Sequence, residues 1–299
     1  MTIGIIGGSG LYDFEGVENL EEKRIDTPFG QPSDAFACGT LANRDVVFLA
    51  RHGRGHTIMP SEINFKANIY GLKMLGVERI ISISAVGSFR DEIAPRDIVA
   101  VDQFVDRTKR NTDHTFFGNG IVAHIAFGDP VCRDLHGLAA AAASRVLAGK
   151  PEGRGGRPPM VHPAGTYLNM EGPAFSTKAE SYLYKAWGMD VIGMTNLAEA
   201  KLAREAEMCY CTMAMVTDYD CWHEEHDAVS VEMIINTLME NASTAREVIK
   251  TLIPMIPETT TCTCSEALRH AVITSSDQFP AETRKKLSLL LDKQQTNEP

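Results

Sequence analysis

Short runs of consecutive apolar residues alternate along this chain with stretches where apolar positions recur every three to four residues. Residues 3–6 form one run and end in Gly7-Gly8-Ser9-Gly10; residues 46–50 form another and lead into Arg51-His52-Gly53. Residues 79–84, followed by Ala85-Val86-Gly87-Ser88, and residues 97–101, 191–194 and 208–216 repeat the pattern. Such runs predict strands buried on both faces. Between them, Ser61 opens a helical period through Ile63, Ala67, Tyr70 and Met74 that Gly76 closes. Residues 135–148 and 199–207 predict helices. So does 231–252, where Val231, Ile234, Ile235 and Leu238 share one face, and 281–291 is amphipathic. Alternating strands and helices predict an α/β fold, a sheet covered on both faces by helices. The Gly/Pro/Arg loop at 150–159 is the one candidate boundary. The same kinds of element resume after it, so the expectation is a single domain over 1–299, with 258–299 as a C-terminal helical extension.

Composition narrows the function classes. The chain of 299 residues carries 29 basic and 39 acidic side chains, a net charge of −10, which disfavours nucleic acid and anionic membranes as partners. An anionic ligand would need a small, locally positive pocket. No apolar stretch approaches the ~20 residues that span a bilayer, and the N-terminus has no basic region before its apolar burst. A cytoplasmic protein is expected. Seven cysteines are an odd set for a disulfide framework. Cys209/Cys211 and Cys262/Cys264 have Cys-x-Cys spacing, and no second half of a tetrahedral metal site is apparent along the chain. Reduced structural thiols and no metal are expected; a disulfide is the alternative if the source is a hyperthermophile.

In open α/β sheets, ligands bind outside the carboxyl ends of the strands. There the predicted strands deliver Gly7-Gly8-Ser9-Gly10, Arg51-His52, Ser84-Ala85, Met194-Thr195-Asn196 and Thr217-Asp218-Tyr219-Asp220. Gly-Gly-Ser-Gly suits a tight turn or a cradle of backbone N–H groups around an anion. Arg51, His52, Arg54 and His56 suit a solvated basic loop or an anion site. Asp218 and Asp220, at i and i+2 of an extended segment, point the same way, and close like charges raise the pKa of one of them. A carboxylic acid that stays protonated near neutrality can donate to a heterocycle nitrogen, while its ionised neighbour accepts from an amino group. Two solvated aspartates in a turn are the plain alternative. His223-Glu224-Glu225-His226 lacks the i, i+4 spacing of a zinc helix and reads as a loop. Asn241-Ala242-Ser243 matches a glycosylation triplet but falls in a predicted helix.

Six separated motifs carry a family resemblance. They are Ile3-Gly-Ile-Ile-Gly-Gly-Ser-Gly-Leu11, Asp26-Thr-Pro-Phe-Gly-Gln-Pro-Ser-Asp34, Leu49-Ala-Arg-His-Gly-Arg-Gly-His-Thr-Ile-Met-Pro-Ser61, Asp102-Gln-Phe-Val-Asp-Arg-Thr108, Glu171-Gly-Pro-Ala-Phe-Ser176 and Ala214-Met-Val-Thr-Asp-Tyr-Asp-Cys-Trp222. In this order they resemble the 5′-methylthioadenosine phosphorylase family of the trimeric purine nucleoside phosphorylase superfamily, from residue 3 to about residue 252. The resemblance implies a central mixed, mostly parallel sheet (a distorted barrel) flanked by helices. It implies inorganic phosphate as co-substrate, with no other cofactor. Phosphate would be held by Ser9, Arg51, His52, Ser84, Ala85 and Thr195. Met194 would pack on the ribose, and Phe175, Ser176, Thr217, Asp218 and Asp220 would surround the base, Asp218 donating to N7. His56 would lie near the ribose 5′ side, and Val231, Ile234 and Ile235 would line a methylthio pocket. His124 resembles a histidine contributed by a neighbouring subunit, so a homo-oligomer is implied, a trimer before a hexamer. Asn196-Leu197-Ala198-Glu199 stands where the family more often has Thr-Val-Pro-Glu, a departure beside the implied phosphate.

Three rivals follow from the same residues. A hydrolytic nucleosidase would not need the Gly loop, Arg51 and His52 together. A 6-oxopurine phosphorylase would carry Asn in place of Asp218. A non-catalytic nucleoside-binding protein would not need both the acid and the anion site.

Overall fold

The computed structural model describes residues 1–8, 16–109, 111–152, 156–223 and 231–295; the side chains of 111–112, 231–235 and 293–295 are outside the description. Among the described residues, eleven strands form one sheet: β1 (Thr2–Gly7), β2 (Glu18–Lys23), β3 (Phe36–Leu41), β4 (Arg44–Ala50), β5 (Val77–Ser88), β6 (Ile98–Ala100), β7 (Gln103–Arg107), β8 (Val161–His162), β9 (Thr166–Met170), β10 (Val191–Gly193) and β11 (Cys209–Tyr219). Among the same residues, seven α-helices pack around it: α1 (Phe65–Met74), α2 (Arg133–Leu147), α3 (Lys178–Ala186), α4 (Asn196–Glu205), α5 (Val231–Leu252), α6 (Ala281–Lys286) and α7 (Ser288–Gln295).

The sheet is mixed and mostly parallel, running β2-β3-β4-β1-β5-β10-β9-β7 with β11, β6 and β8 branching from β5. Its centre is the long strand β5. On one edge β11 pairs parallel with β5 from Arg79 to Ser88. On the other edge β1 pairs with it only as far as Ser82, and β10 takes over, antiparallel, at Gly87. Residues 83–86 of β5 therefore have no strand partner on that edge among the described residues. The sheet divides there, a gap of the kind in which α/β proteins bind ligands.

The buried runs became strands as expected because both their faces are covered: Ile3, Ile5 and Ile6 of β1 and Ile80, Ile81 and Ile83 of β5 are almost inaccessible. Two expectations shift. The helix expected from Ser61 begins at Phe65, because Pro60–Glu62 forms a separate 3-10 turn and Asn64 caps the helix, its side chain accepting from the Ala67 N–H. The amphipathic 281–291 segment is two helices, α6 and α7, separated at Leu287. Leu287, Leu290 and Leu291 bury in the same cluster as Phe36, Ile69 and Tyr70, so the C-terminal extension packs into a shared core. The Gly/Pro/Arg loop is also tied down. Arg157 reaches Asp97, whose fully buried carboxylate accepts from Arg157, His162 and the backbone N–H groups of Met160 and Ala94.

Candidate active site

The gap beside β5 opens into a cavity of about 670 Å³, within the ~300–1,000 Å³ range of small-molecule sites. Its lining comes from the carboxyl ends of the strands. Gly8 follows β1, Arg51 and His52 follow β4, Ser84 to Gly87 belong to β5, Met194 and Thr195 follow β10, Thr217 to Tyr219 end β11 and Asp220 follows it. Phe175 and His56 complete the set of expected residues on its wall. Ser176 does not line it; its carbonyl accepts from the thiol of Cys221, which does. His124 also lies elsewhere, its backbone N–H bonded to Ala271. Ser9 is outside the described residues. Val231, Ile234 and Ile235 lie on α5, and their side chains are outside the description. Further along that helix, Leu238, Asn241 and Ala242 reach the cavity.

One end of the cavity presents donors. Arg51 is 2% exposed and its guanidinium is mostly engaged: Nε donates to Glu199 Oε1 at 2.8 Å, Nη1 to the Ile83 carbonyl at 2.7 Å, and Nη2 to Ser82 Oγ and Glu199 Oε2. Glu199 also accepts from Ser82 Oγ (2.7 Å) and Tyr210 Oη (2.9 Å). Asn196 Nδ2 adds a further bond at 3.2 Å. The buried ion pair is thus fully hydrogen-bonded, the condition under which such a pair is tolerated. His52 Nδ1 lies 2.9 Å from the Ile58 carbonyl; a carbonyl only accepts, so Nδ1 carries the proton and Nε2 presents a lone pair. Burial, with the Arg51 charge acting the same way, lowers the His52 pKa to about 4, so the ring is neutral at pH 7. His56 stacks on it at 4.4 Å. Thr195 is the N-cap of α4 and its side chain makes no capping bond; a helix N-terminus with a spare hydroxyl favours an anion. The cap is held by Tyr167, whose hydroxyl accepts from Thr195 N and contacts Ser84. Gly193 makes this possible, since a Cβ there would lie 1.9 Å from the Tyr167 oxygen.

The other end presents carboxyls. A β-bulge between Val216 and Asp218 lets consecutive Thr217 and Asp218 both face the cavity, which strict alternation would forbid. The Thr217 hydroxyl lies 2.6 Å from Asp218 Oδ2 and 3.1 Å from the Val86 carbonyl. It has one proton for two acceptors, an arrangement satisfied when Asp218 is itself protonated and donates to Thr217. Burial first, and the Asp220 charge second, raise the Asp218 pKa to about 6, against the lowering effect of Thr217. Asp220 is also raised by burial. Gly87 faces this pair, and a Cβ there would sit 3.3 Å from Asp218 Oδ1 and 3.6 Å from the Asp220 Cβ. Ser84 and Gly87, which mark the two ends, are three residues apart on β5, about 10 Å at ~3.3 Å per residue. Such a site can hold an anion at one end, a pentose between, and a planar base against an acid at the other.

Several contributors were not foreseen. Glu199 looks like an ordinary acidic residue in a helical first turn, and only Arg51, 148 positions away, gives it its role. Asn241 is buried and donates to the Val216 carbonyl at 2.9 Å beside the bulge, a role that its glycosylation triplet does not signal. His223 stacks on Tyr219 at 4.5 Å, and His226 is outside the described residues.

Comparison with known proteins gives a consistent picture. Residues 2–254 match the model of the phosphorylase superfamily. The chain is 56% identical to an S-methyl-5′-thioadenosine phosphorylase of Koribacter versatilis, covering 97% of this chain and 96% of that one. It is 53% identical to the enzyme of that name from Geobacter sulfurreducens, over 97% and 98% of the two chains. Its fold is similar to a crystal structure of methylthioadenosine phosphorylase from an antarctic soil metagenomic library, with a TM-score of 0.89, 44% identity and coverage of 97% and 98%. It is also similar to a methylthioadenosine phosphorylase from Schistosoma mansoni in complex with adenine, with a TM-score of 0.82, 33% identity and coverage of 93% and 99%.

Proposed function

The chain belongs to the phosphorylase superfamily, and from that premise we propose that it catalyses phosphorolysis of S-methyl-5′-thioadenosine. Phosphate oxygen bonds to C1′ as the C1′–N9 bond breaks, giving 5-methylthioribose 1-phosphate and adenine. The bonding pair leaves with N9, and a proton delivered to N7 makes adenine a neutral leaving group. One observation carries the reading: a cavity with anion donors at one end and a buried carboxyl titrating at about 6 at the other.

Phosphate is held by Ser9, Arg51, His52, Ser84, the Ala85 backbone N–H and Thr195. Because Glu199 already neutralises Arg51, the guanidinium acts chiefly as a fixed donor frame, and the N-terminus of α4 adds positive potential. The His52 lone pair accepts the proton of hydrogen phosphate. As the glycosidic bond breaks, positive charge grows on the sugar and the adjacent phosphate stabilises it. Asp218 donates to N7 as general acid, and Asp220, ionised, holds the 6-amino face. Met194 packs on the ribose, Phe175 on the base, His56 near the 5′ side, and Val231, Ile234 and Ile235 around the methylthio group. His124, away from its own cavity, serves a neighbouring subunit in a homo-oligomer, a trimer before a hexamer. The protein is a single domain over 1–299 with 258–299 as its extension, acts in the cytoplasm, and needs no cofactor besides phosphate. No helix among the described residues is long and apolar enough to cross a membrane.

A steady-state comparison of methylthioadenosine, adenosine and inosine with phosphate varied tests this reading. The highest kcat/KM should belong to methylthioadenosine and the lowest to inosine, whose 6-oxo group opposes Asp220. Preference for inosine would overturn the assignment.

A further inference from the structure

At the opposite end of β11 from the carboxyls, the fold assembles the half-site that the linear sequence hides. Cys209 begins β11, eight residues before Thr217 and thus about 26 Å from the cavity end of that strand. Around it lie Cys132, Cys262 and Cys264, and all four Sγ atoms lie within 4.8 Å of one another. We propose that Cys132, Cys209, Cys262 and Cys264 form a closed tetrathiolate site for a zinc ion that clips the C-terminal extension to the phosphorylase core.

The geometry matches that ligand set. Zinc–sulfur bonds of ~2.3 Å in a tetrahedron put the sulfurs about 3.8 Å apart, so small rotamer changes bring the four onto one ion. No disulfide links them: all are free thiols, and Cys209 and Cys262 lie 3.3 Å apart. The site is anchored. Cys132 is the N-cap of α2, and its backbone N–H donates to the Tyr210 carbonyl at 2.8 Å, locking the helix start to β11. The positive end of α2 further favours a thiolate there.

Charge supplies a second, independent observation. Four thiolates around Zn²⁺ leave a net double negative charge, which needs a cation when buried. Arg79 is 4% exposed and lines a cavity of about 390 Å³ together with Cys132, Cys209 and Cys262. It donates to the Thr259 carbonyl, but its Nε has no partner among the described residues. A zinc tetrathiolate beside it gives that guanidinium its counter-charge.

Position gives the site a purpose. Cys132 and Cys209 lie inside the superfamily match, which ends at residue 254; Cys262 and Cys264 lie beyond it. The segment that follows them braces the strip carrying His124. His124 N donates to Ala271, Val122 N to Thr274 Oγ1, and Ile273 N to the Val122 carbonyl. Binding exchanges four thiol protons for one ion, with no redox change.

The test uses untagged full-length protein purified with reductant and without chelator, its metal content measured by mass spectrometry. About one zinc per chain is expected, released by an organomercurial thiol reagent. Cobalt(II) in its place should give a thiolate-to-cobalt charge-transfer band and intense tetrahedral d–d bands. Cys262→Ser, at the most exposed ligand, should lower retained zinc at least tenfold, and Cys38→Ser should leave it unchanged. Protein holding less than a tenth of a zinc per chain, with these thiols alkylating freely, would overturn the proposal. So would a metal-free chain whose mass shows these cysteines joined as disulfides.

Discussion

Replacing Asp218 by asparagine separates two effects that the wild-type carboxyl combines. Burial and the Asp220 charge hold its pKa at about 6 rather than 3.8, so ionisation in the folded protein is disfavoured by about 3 kcal/mol. The folded value lies above the unfolded one, so the carboxyl's contribution to stability is full below about pH 4 and is lost as pH rises through about 6. Asp218→Asn removes an ionisation that the fold resists while keeping the shape and a partner for Thr217. Near pH 7.5 the variant should be more stable than wild type by about 1–3 kcal/mol, and near pH 4 the gain should vanish. Urea denaturation at the two pH values measures both. Activity moves the other way. A positioned general acid contributes ~10²–10⁴-fold, so kcat/KM for methylthioadenosine at saturating phosphate should fall by about 3–5 kcal/mol of transition-state stabilisation. The decline of wild-type kcat/KM above about pH 6 should be absent from the variant. Near-normal turnover in Asp218→Asn, or in Asp218→Ala, would refute the proton-donor role. Lost activity with no gain in stability would refute the origin of the raised pKa in burial.

Glu199→Ala leaves the buried Arg51 charge uncompensated and should cost about 3–5 kcal/mol in urea denaturation; a loss below about 1 kcal/mol would mean that Arg51 is not confined as the structure has it. Asp97 titrates in the opposite sense to Asp218. Burial opposes its ionisation, but bonds from His162, Arg157, Met160 N and Ala94 N outweigh it and lower its pKa below 3.8. Its contribution is present above about pH 4 and is lost as pH falls through the lower folded value, so the stability gap between wild type and Asp97→Asn should close on acidification.

How much of this was legible in the sequence depended on whether the signal was local. β1, β4, β5, β10 and β11 announced themselves because both faces are buried, leaving stretches in which apolar residues are broken only by Gly, Ser or Thr, and the ends of those strands led directly to Arg51, Thr195 and Asp218. β2 is Glu-Asn-Leu-Glu-Glu-Lys and wholly exposed; only pairing with β3 makes it a strand, and its residues give no hint of that. α3 did carry a signal, the Thr177-x-x-Glu180 capping box, ahead of an apolar period too short to stand out. The bulge that turns Thr217 and Asp218 together into the cavity is set by pairing with β5, beyond the reach of a period-two rule. The same limit concealed Glu199 behind Arg51. It also hid the partners of Cys262 and Cys264, since Cys132 and Cys209 join them only after α2 and β11 have packed.

Adenine release from methylthioadenosine, followed with and without inorganic phosphate and with the sugar product identified, distinguishes phosphorolysis from hydrolysis. Turnover should saturate with phosphate, vanish in its absence, and yield adenine and 5-methylthioribose 1-phosphate in equal amounts. Equal rates in phosphate-free buffer, with free methylthioribose as the product, would contradict phosphorolysis.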